Sequence, residues 1–320
     1  MHKVSKDTII YAMSALNKPV LSVEPGTQIQ FETWDALHGQ VKSAGESFDS
    51  LDWNRVNPAT GPVYVHGAEA GDILSVKIDS IEVEQEGVVI CGKGMGLLGS
   101  VLQGSAIKII PIKNGVAHYP GGKPRSAACR QEDSAAGSDD IQLPLNKMIG
   151  VIGVAPKSGE IPCGVPDLHG GNMDCKEIRE GATVLLPVNV PGALLALGDL
   201  HAVMADGEIG VSGLEVAGKV TVTVDIIRNP QAEVPVRRED WPLPMVISDS
   251  HVMTIASDED LDKAVEMAVA NMAGYLTKIE GFTMEDAVML ISLAGDVRIC
   301  QVVDPKKTAR VEFPRKYLRK

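Results

Sequence analysis

Strict alternation of apolar and polar residues limits this chain's fold more than any other feature. Val220, Val222, Val224 and Ile226 are separated by Thr221, Thr223 and Asp225. Side chains two apart share one face of a strand, so the segment predicts β-structure with one buried face. Ile29, Phe31 and Thr33 repeat the pattern between Gln28, Gln30 and Glu32. Leu74, Val76 and Ile78 do so too before the pattern slips to Ile81 and Val83, which predicts a bulge near Asp79 and Ser80. Residues 148–154 and 183–190 are apolar almost throughout, as strands covered on both faces are. The 32 glycines and 19 prolines are spread along the chain, which suits many short strands joined by tight turns. The fold class is therefore mainly β, a sandwich or barrel.

The period changes after Trp241-Pro242-Leu243-Pro244. Ser257, followed by Asp258, Glu259 and Asp260, predicts a helix N-cap. Leu261, Val265, Ala268, Met272 and Leu276 then recur at helical spacing up to Gly281. Thr283 caps a second helix, which runs through Ala287, Leu290, Ile291 and Ala294 to Gly295, and a strand over residues 297–303 follows. The chain divides into a β-rich catalytic part, residues 1–240, carrying the metal site, and a smaller α+β part, residues 241–320, with two helices packed on strands.

Charge and composition narrow the function. A net charge of −12 repels phosphate backbones, so nucleic-acid binding is not expected. The basic residues between 306 and 320 read as a solvated edge or a subunit contact. No segment has the length and apolarity of a membrane span, and the residues after Met1 lack an apolar leader. Cys91, Cys129, Cys163, Cys175 and Cys300 form no C-x-x-C pair, which suits a reducing, cytoplasmic setting. Gly94, Gly96 and Gly99 match a dinucleotide fingerprint, but residues 106–110 read as a strand and not as the helix that would hold a pyrophosphate. Cys163 and Cys175 as thiol nucleophiles are the lesser reading.

One pattern occurs twice. Asp167-Leu168-His169 is followed by Asp174, and Asp199-Leu200-His201 is followed by Asp206, both at D-L-H-x-x-x-x-D spacing. On a strand, positions i and i+2 present a carboxylate and an imidazole together. Gly170-Gly171 permits a turn that brings Asn172 and Asp174 back towards them. Mixed oxygen and imidazole donors suit a divalent cation, zinc above all, which can activate water. Asp199, His201 and Glu215, with His169, are the candidate metal ligands. Glu208 or Asp174 is the candidate general base. Asn172, or the amides of Gly170 and Gly171, is the candidate oxyanion donor. Asp35 and His38, at the end of the strand around Phe31, are a candidate second metal site, with calcium as its ion. His66 reads as a strand-end histidine with a structural hydrogen bond.

These blocks carry a family resemblance. Asn57-Pro58-Ala59-Thr60-Gly61-Pro62, Gly67-Ala68-Glu69-Ala70-Gly71-Asp72, His169-Gly170-Gly171-Asn172-Met173-Asp174, Gly198-Asp199-Leu200-His201-Ala202, Asp206-Gly207-Glu208 and Asp286-Ala287-Val288-Met289-Leu290 resemble, in this order, the acetamidase/formamidase family. The resemblance implies a jelly-roll-like β-sandwich with a smaller α/β element, a divalent metal and a homo-oligomer, a dimer. It further implies hydrolysis of formamide, acetamide or related small or cyclic amides, with ammonia released. By position, His169, Asn172, Asp174, Asp199, His201, Asp206, Glu208 and Glu215 match the motifs expected to line the site. Met204 and Ala205 depart from the family's pattern. A hydrolase of cyclic amides or lactams, and a metal-containing ligand-binding module without turnover, are the rival readings.

Overall fold

The computed structural model describes residues 1–43, 46, 48–121, 140–228 and 241–318; Cys129 and Lys320 lie outside them. The alternating segments form two large β-sheets. In spatial order the first sheet runs His2–Val4, Thr27–Thr33, Gly218–Ile227, Ile73–Val83, Thr183–Pro187, Met245–Ile247, His251–Asp258, Lys307–Pro314 and Asp296–Gln301. Four of these nine strands come from beyond residue 240, so the C-terminal segment extends a sheet begun at the N-terminus.

The bulge sits where the slipped pattern places it. Val222 pairs with Ile78 and Thr221 with Ser80, which leaves Asp79 as the extra residue. Its carboxylate accepts hydrogen bonds from Thr223 Oγ1 at 2.7 Å and Gln28 Nε2 at 3.1 Å.

The second sheet contains Met148–Gly153, Leu195–His201, Glu215–Val216, Glu86–Cys91 and Ala106–Lys113 as successive neighbours, and Ala59–Val65 also pairs with Leu195–His201. The main core lies between the sheets. Ile29, Phe31, Ile78 and Val222 of the first are fully buried against the same cluster as Ile149, Leu197 and Leu200 of the second. Each such side chain stabilises the fold by roughly 1.5–3 kcal/mol relative to exposure. With few aromatic residues to fill it, this core is built from branched aliphatics.

A second core forms where helix Leu261–Lys278 lays Ala264, Ala268, Met272 and Leu276 on Ala309, Val311 and Phe313 of the first sheet. Its N-cap is Asp260, which accepts from the amides of Asp262 and Lys263, and not Ser257. Ser257 pairs with Thr308 and bonds its hydroxyl at 3.0 Å, so the strand continues to Asp258 before the helix begins. Gly281, at φ +71°, reverses the chain so that the Phe282 amide reaches the Leu276 carbonyl at 3.0 Å. Thr283 caps the second helix, Met284–Ala294, as expected. The following strand, Asp296–Gln301, ends two residues early because the Gln301 side chain accepts from the amides of Val303 and Asp304 and bends the chain there. No helix among the described residues is long and apolar enough to cross a membrane.

Candidate metal centre

The twin motifs meet at one imidazole. His201 ends the strand Leu195–His201 and lies directly opposite Glu215 in the ladder, which sets their side chains on one face. Glu215 Oε2 is 3.1 Å from His201 Nε2, and Asp199 Oδ1 is 3.3 Å from it. Asp174 Oδ1 and Glu208 Oε1 each lie 3.9 Å away. Four carboxylates therefore face one ring nitrogen. On the other side of the ring, Met204 Sδ is 3.1 Å from Nδ1. Nε2 thus faces the acids, and it is the nitrogen that a divalent ion among them would take in place of a proton.

Local backbone geometry makes this convergence possible. Asp174, Asp199 and Glu208 have φ of +43°, +56° and +46°. Non-glycine residues in that region cost of order 1–3 kcal/mol each and persist only where their surroundings hold them. Gly150, on the neighbouring strand, leaves the room. A Cβ there would sit 2.5 Å from both Asp174 Oδ1 and Asp199 Oδ2. A Cβ on Gly213 would lie 2.6 Å from His201 Nδ1.

His201 and the four acids are all buried. Burial lifts Glu208 and Glu215 to about 8, against the pull of the His201 charge. Burial, reinforced by Glu208 and Asp199, raises Asp174 well above the ordinary carboxyl value. Burial opposes a charge on Asp199 and His201 too, but their mutual attraction, with Glu215 on the imidazole, lowers Asp199 and raises His201 well above its usual value. One ring cannot neutralise four carboxylates, and the acids divide accordingly.

Hydrogen bonding leaves these groups unsatisfied. Both oxygens of Asp174, Asp199 Oδ1 and Glu215 Oε2 are buried without a hydrogen-bond partner among the described residues. Each such atom costs about 1–3 kcal/mol unless something else meets it. Donor atoms of Asp174, Asp199 and His201 lie within 4.8 Å of one another, as do those of His201, Glu208 and Glu215. Unpartnered oxygens around one imidazole nitrogen fit a divalent cation, and these five residues could hold one.

The remaining motif residues are not equivalent. Asp199 and His201 face one another as the i, i+2 argument requires. At Asp167 and His169 a tight turn over residues 167–170, closed by Asp167 N to Gly170 O at 2.8 Å, takes the place of the strand. Asp167 instead pairs with Lys306 at 2.5 Å, and Asp206 with both Arg310 and Lys176. Each copy thus supplies one acid to the cluster, Asp174 or Asp199, and one acid to a cation from the C-terminal hairpin. His169 is buried with neither ring nitrogen partnered among the described residues, and burial lowers it to about 4. Its charged neighbours are Asp167 and Lys306, and it is absent from the donor groups of the cluster.

Asn172 donates from Nδ2 to Asp304 Oδ2 at 2.9 Å and leaves Oδ1 buried and unpartnered among the described residues. Asp35 and His38 are engaged elsewhere. Asp35 accepts from the amides of Leu37 and Gly39, and His38 Nδ1 is 2.6 Å from Tyr11 Oη and 3.0 Å from Arg55 Nη2. A guanidinium at that distance repels a cation, and no third donor joins the pair among the described residues. The turn serves instead as a wall: Ala36 and Leu37 line a cavity of about 230 Å³ with Trp53, Asp199, Glu208 and Glu215.

Asp304 escapes sequence reasoning altogether. It lines the same cavity from the loop between Asp296–Gln301 and Lys307–Pro314. Burial, then Asp174 and Asp199, raises its carboxyl well above the ordinary range. Nothing around Val303-Asp304-Pro305 marks it, since only the fold brings it across to residue 174.

A sequence model of the Acetamidase/Formamidase family matches residues 17–163 and 161–318. The chain belongs to that family. The solved acetamidase of Bacillus halodurans superposes with a TM-score of 0.87 at 42% identity, covering 98% of each chain. The formamidase of Methylophilus methylotrophus is 26% identical over 353 residues, 92% of this chain and 86% of that one. A Schizosaccharomyces pombe relative bearing a formamidase name is 27% identical over 251 residues, and the match spans 65% of this chain but 61% of the relative's length. As a member of this family, the chain shares the fold of that solved relative over nearly its whole length.

Proposed function

We propose that this family member is an amidohydrolase that converts small linear carboxamides, formamide and acetamide in kind, to the carboxylate and ammonia. Family membership and the acetamidase and formamidase names of its relatives support the reaction. The convergence of unpartnered oxygens of Asp174, Asp199 and Glu215 on Nε2 of His201 carries the chemistry. Asp174, Asp199, His201 and Glu215 would hold the divalent cation, and zinc suits their mixed oxygen and nitrogen donors. When bound, such an ion polarises a carbonyl and lowers the pKa of water towards 7.

The chain's own groups divide the rest. Glu208 lines the cavity and Asp174 does not, which makes Glu208 the general base. It takes one proton from the attacking water and returns it to the departing nitrogen. The C–O bond to the water oxygen forms first at the carbonyl carbon, C–N then breaks as the nitrogen takes that proton, and no other reagent is consumed. Leu37, Trp53, Val56 and Val211 give the cavity apolar walls, and its roughly 230 Å³ admits a short acyl group.

Ammonia release from formamide and acetamide by the wild type and by His201→Ala tests this reading. A loss of at least a hundredfold in the variant, with folding unchanged by circular dichroism, is the expected result. Undiminished ammonia release by His201→Ala would reject it.

A further inference from the structure

His201 meets the acids with one ring nitrogen, and the hydrolytic steps leave the other without a role. An imidazole that gives Nε2 to a cation keeps its hydrogen on Nδ1, and that N–H is buried with the rest of the ring. Gly213 faces Nδ1 so closely that a Cβ there would lie 2.6 Å away, and it offers no side chain to receive the hydrogen. Met204 Sδ, 3.1 Å from Nδ1, is the acceptor within reach. A thioether accepts weakly, but a buried N–H with no partner at all is costlier still.

The sulfur is held in place. Met204 is itself buried, and the Asn146 side chain grips its backbone twice. Asn146 Oδ1 accepts from the Met204 amide at 3.0 Å, and Asn146 Nδ2 donates to the Met204 carbonyl at 2.7 Å. The Asn146 amide in turn donates to the carbonyl of Ala202, the residue after His201, at 3.1 Å. A methionine side chain has three rotatable bonds and packs loosely by nature. Here the backbone that carries it is tied to the end of the strand that carries the imidazole.

We infer that Met204 is a positioning residue whose sulfur accepts the Nδ1–H of His201 and keeps Nε2 aimed at Asp199 and Glu215. This rests on the cation reading of the cluster and deepens it. Histidines that bind a metal almost always donate their other N–H to an oxygen, and losing that partner weakens metal binding by about ten- to a hundredfold. A carboxylate in that place would bring a fifth negative charge to a buried site where four acids already face one imidazole. Sulfur orients the ring and adds no charge.

Zinc dissociation constants, from competition with a chromophoric chelator, measure this in the wild type, Met204→Leu and Met204→Gln. Leucine keeps the apolar bulk and removes the acceptor. Glutamine keeps the length and brings a carbonyl oxygen, with its NH2 turned into the cavity of about 310 Å³ that Met204 lines with Tyr119 and Ser212. Met204→Leu should raise the zinc Kd by about tenfold or more, and Met204→Gln should return it to within about threefold of the wild type. A Met204→Leu protein that binds zinc as tightly as the wild type would overturn the inference while leaving the hydrolase reading intact. Equal weakening in both variants would make packing the cause, not the acceptor, and would overturn it too. Wild-type protein that retains no zinc would end the cation reading, and this inference with it.

Discussion

Arg310 and Asp206 form a two-pronged ion pair, Nη1 to Oδ1 at 2.7 Å and Nη2 to Oδ2 at 3.0 Å, across 104 residues of sequence. The guanidinium is buried, and it also holds Glu312 at 2.7 Å. The next residue, Gly207, is bound to the same hairpin by its amide to the Cys300 carbonyl at 2.9 Å, and Glu208 follows it. The pair therefore anchors the loop that presents the general base.

Arg310→Met should destabilise the protein by about 3–5 kcal/mol, because it strips two carboxylates of a buried partner. Arg310→Lys should recover only part of this, since an ammonium cannot bridge both oxygens. Denaturant midpoints at constant m-value measure both. A loss below 1 kcal/mol in Arg310→Met would show that the clamp contributes little.

Acid stability should depend on the two anchors. Burial works against the charge on Asp206 and Asp167, but hydrogen bonds from Arg310 and Lys306 keep both carboxyls below their ordinary value. A group depressed in the fold stabilises it above the unfolded value of about 3.9, and that stability is lost as pH falls through the lower folded value. Below about pH 4, Asp206→Asn and Asp167→Asn should each make stability fall less steeply than in the wild type. Unfolding free energies measured from pH 6 down to pH 2.5 decide this, and identical slopes would contradict it.

Gly150→Ala should cost activity without unfolding the chain. Its Cβ would be driven to 2.5 Å from an oxygen of Asp174 and of Asp199, so both carboxylates must turn away. Misplacement of reacting groups by about 1 Å can cost a hundredfold, and that is the expected loss in kcat/KM. Gly213→Ala, which crowds His201 Nδ1 at 2.6 Å, should behave alike. Retention of full activity by both variants would show that the cluster is looser than these contacts imply.

Much of the architecture was legible because burial on one face writes a period of two. The slip after Ile78 even placed the bulge near Asp79 and Ser80, and the extra residue is Asp79. The cap was less legible: Ser257 reads as the cap in sequence, and only its pairing with Thr308 shows that the strand runs on and leaves the cap to Asp260. The same limit governs the site. Spacing drew attention to Asp199 and His201, whose strand places them together. It misled at Asp167, where a tight turn replaces the strand, and at Asp35, whose oxygens cap its own turn. Asp304 left no local trace, because its contact with Asn172 spans 132 residues and depends on a hairpin returning to the first sheet.

Metal analysis coupled to turnover tests the central claim most directly. Wild-type protein and His201→Ala would be stripped with chelator, incubated with zinc and passed through a desalting column. Bound metal and ammonia release from formamide would then be measured on the same samples. The wild type should retain about one ion per chain and regain an activity that chelation removed, while His201→Ala retains far less and stays inactive. Full activity in stripped wild-type protein, or equal metal retention by His201→Ala, would contradict a cation held among Asp174, Asp199, His201 and Glu215.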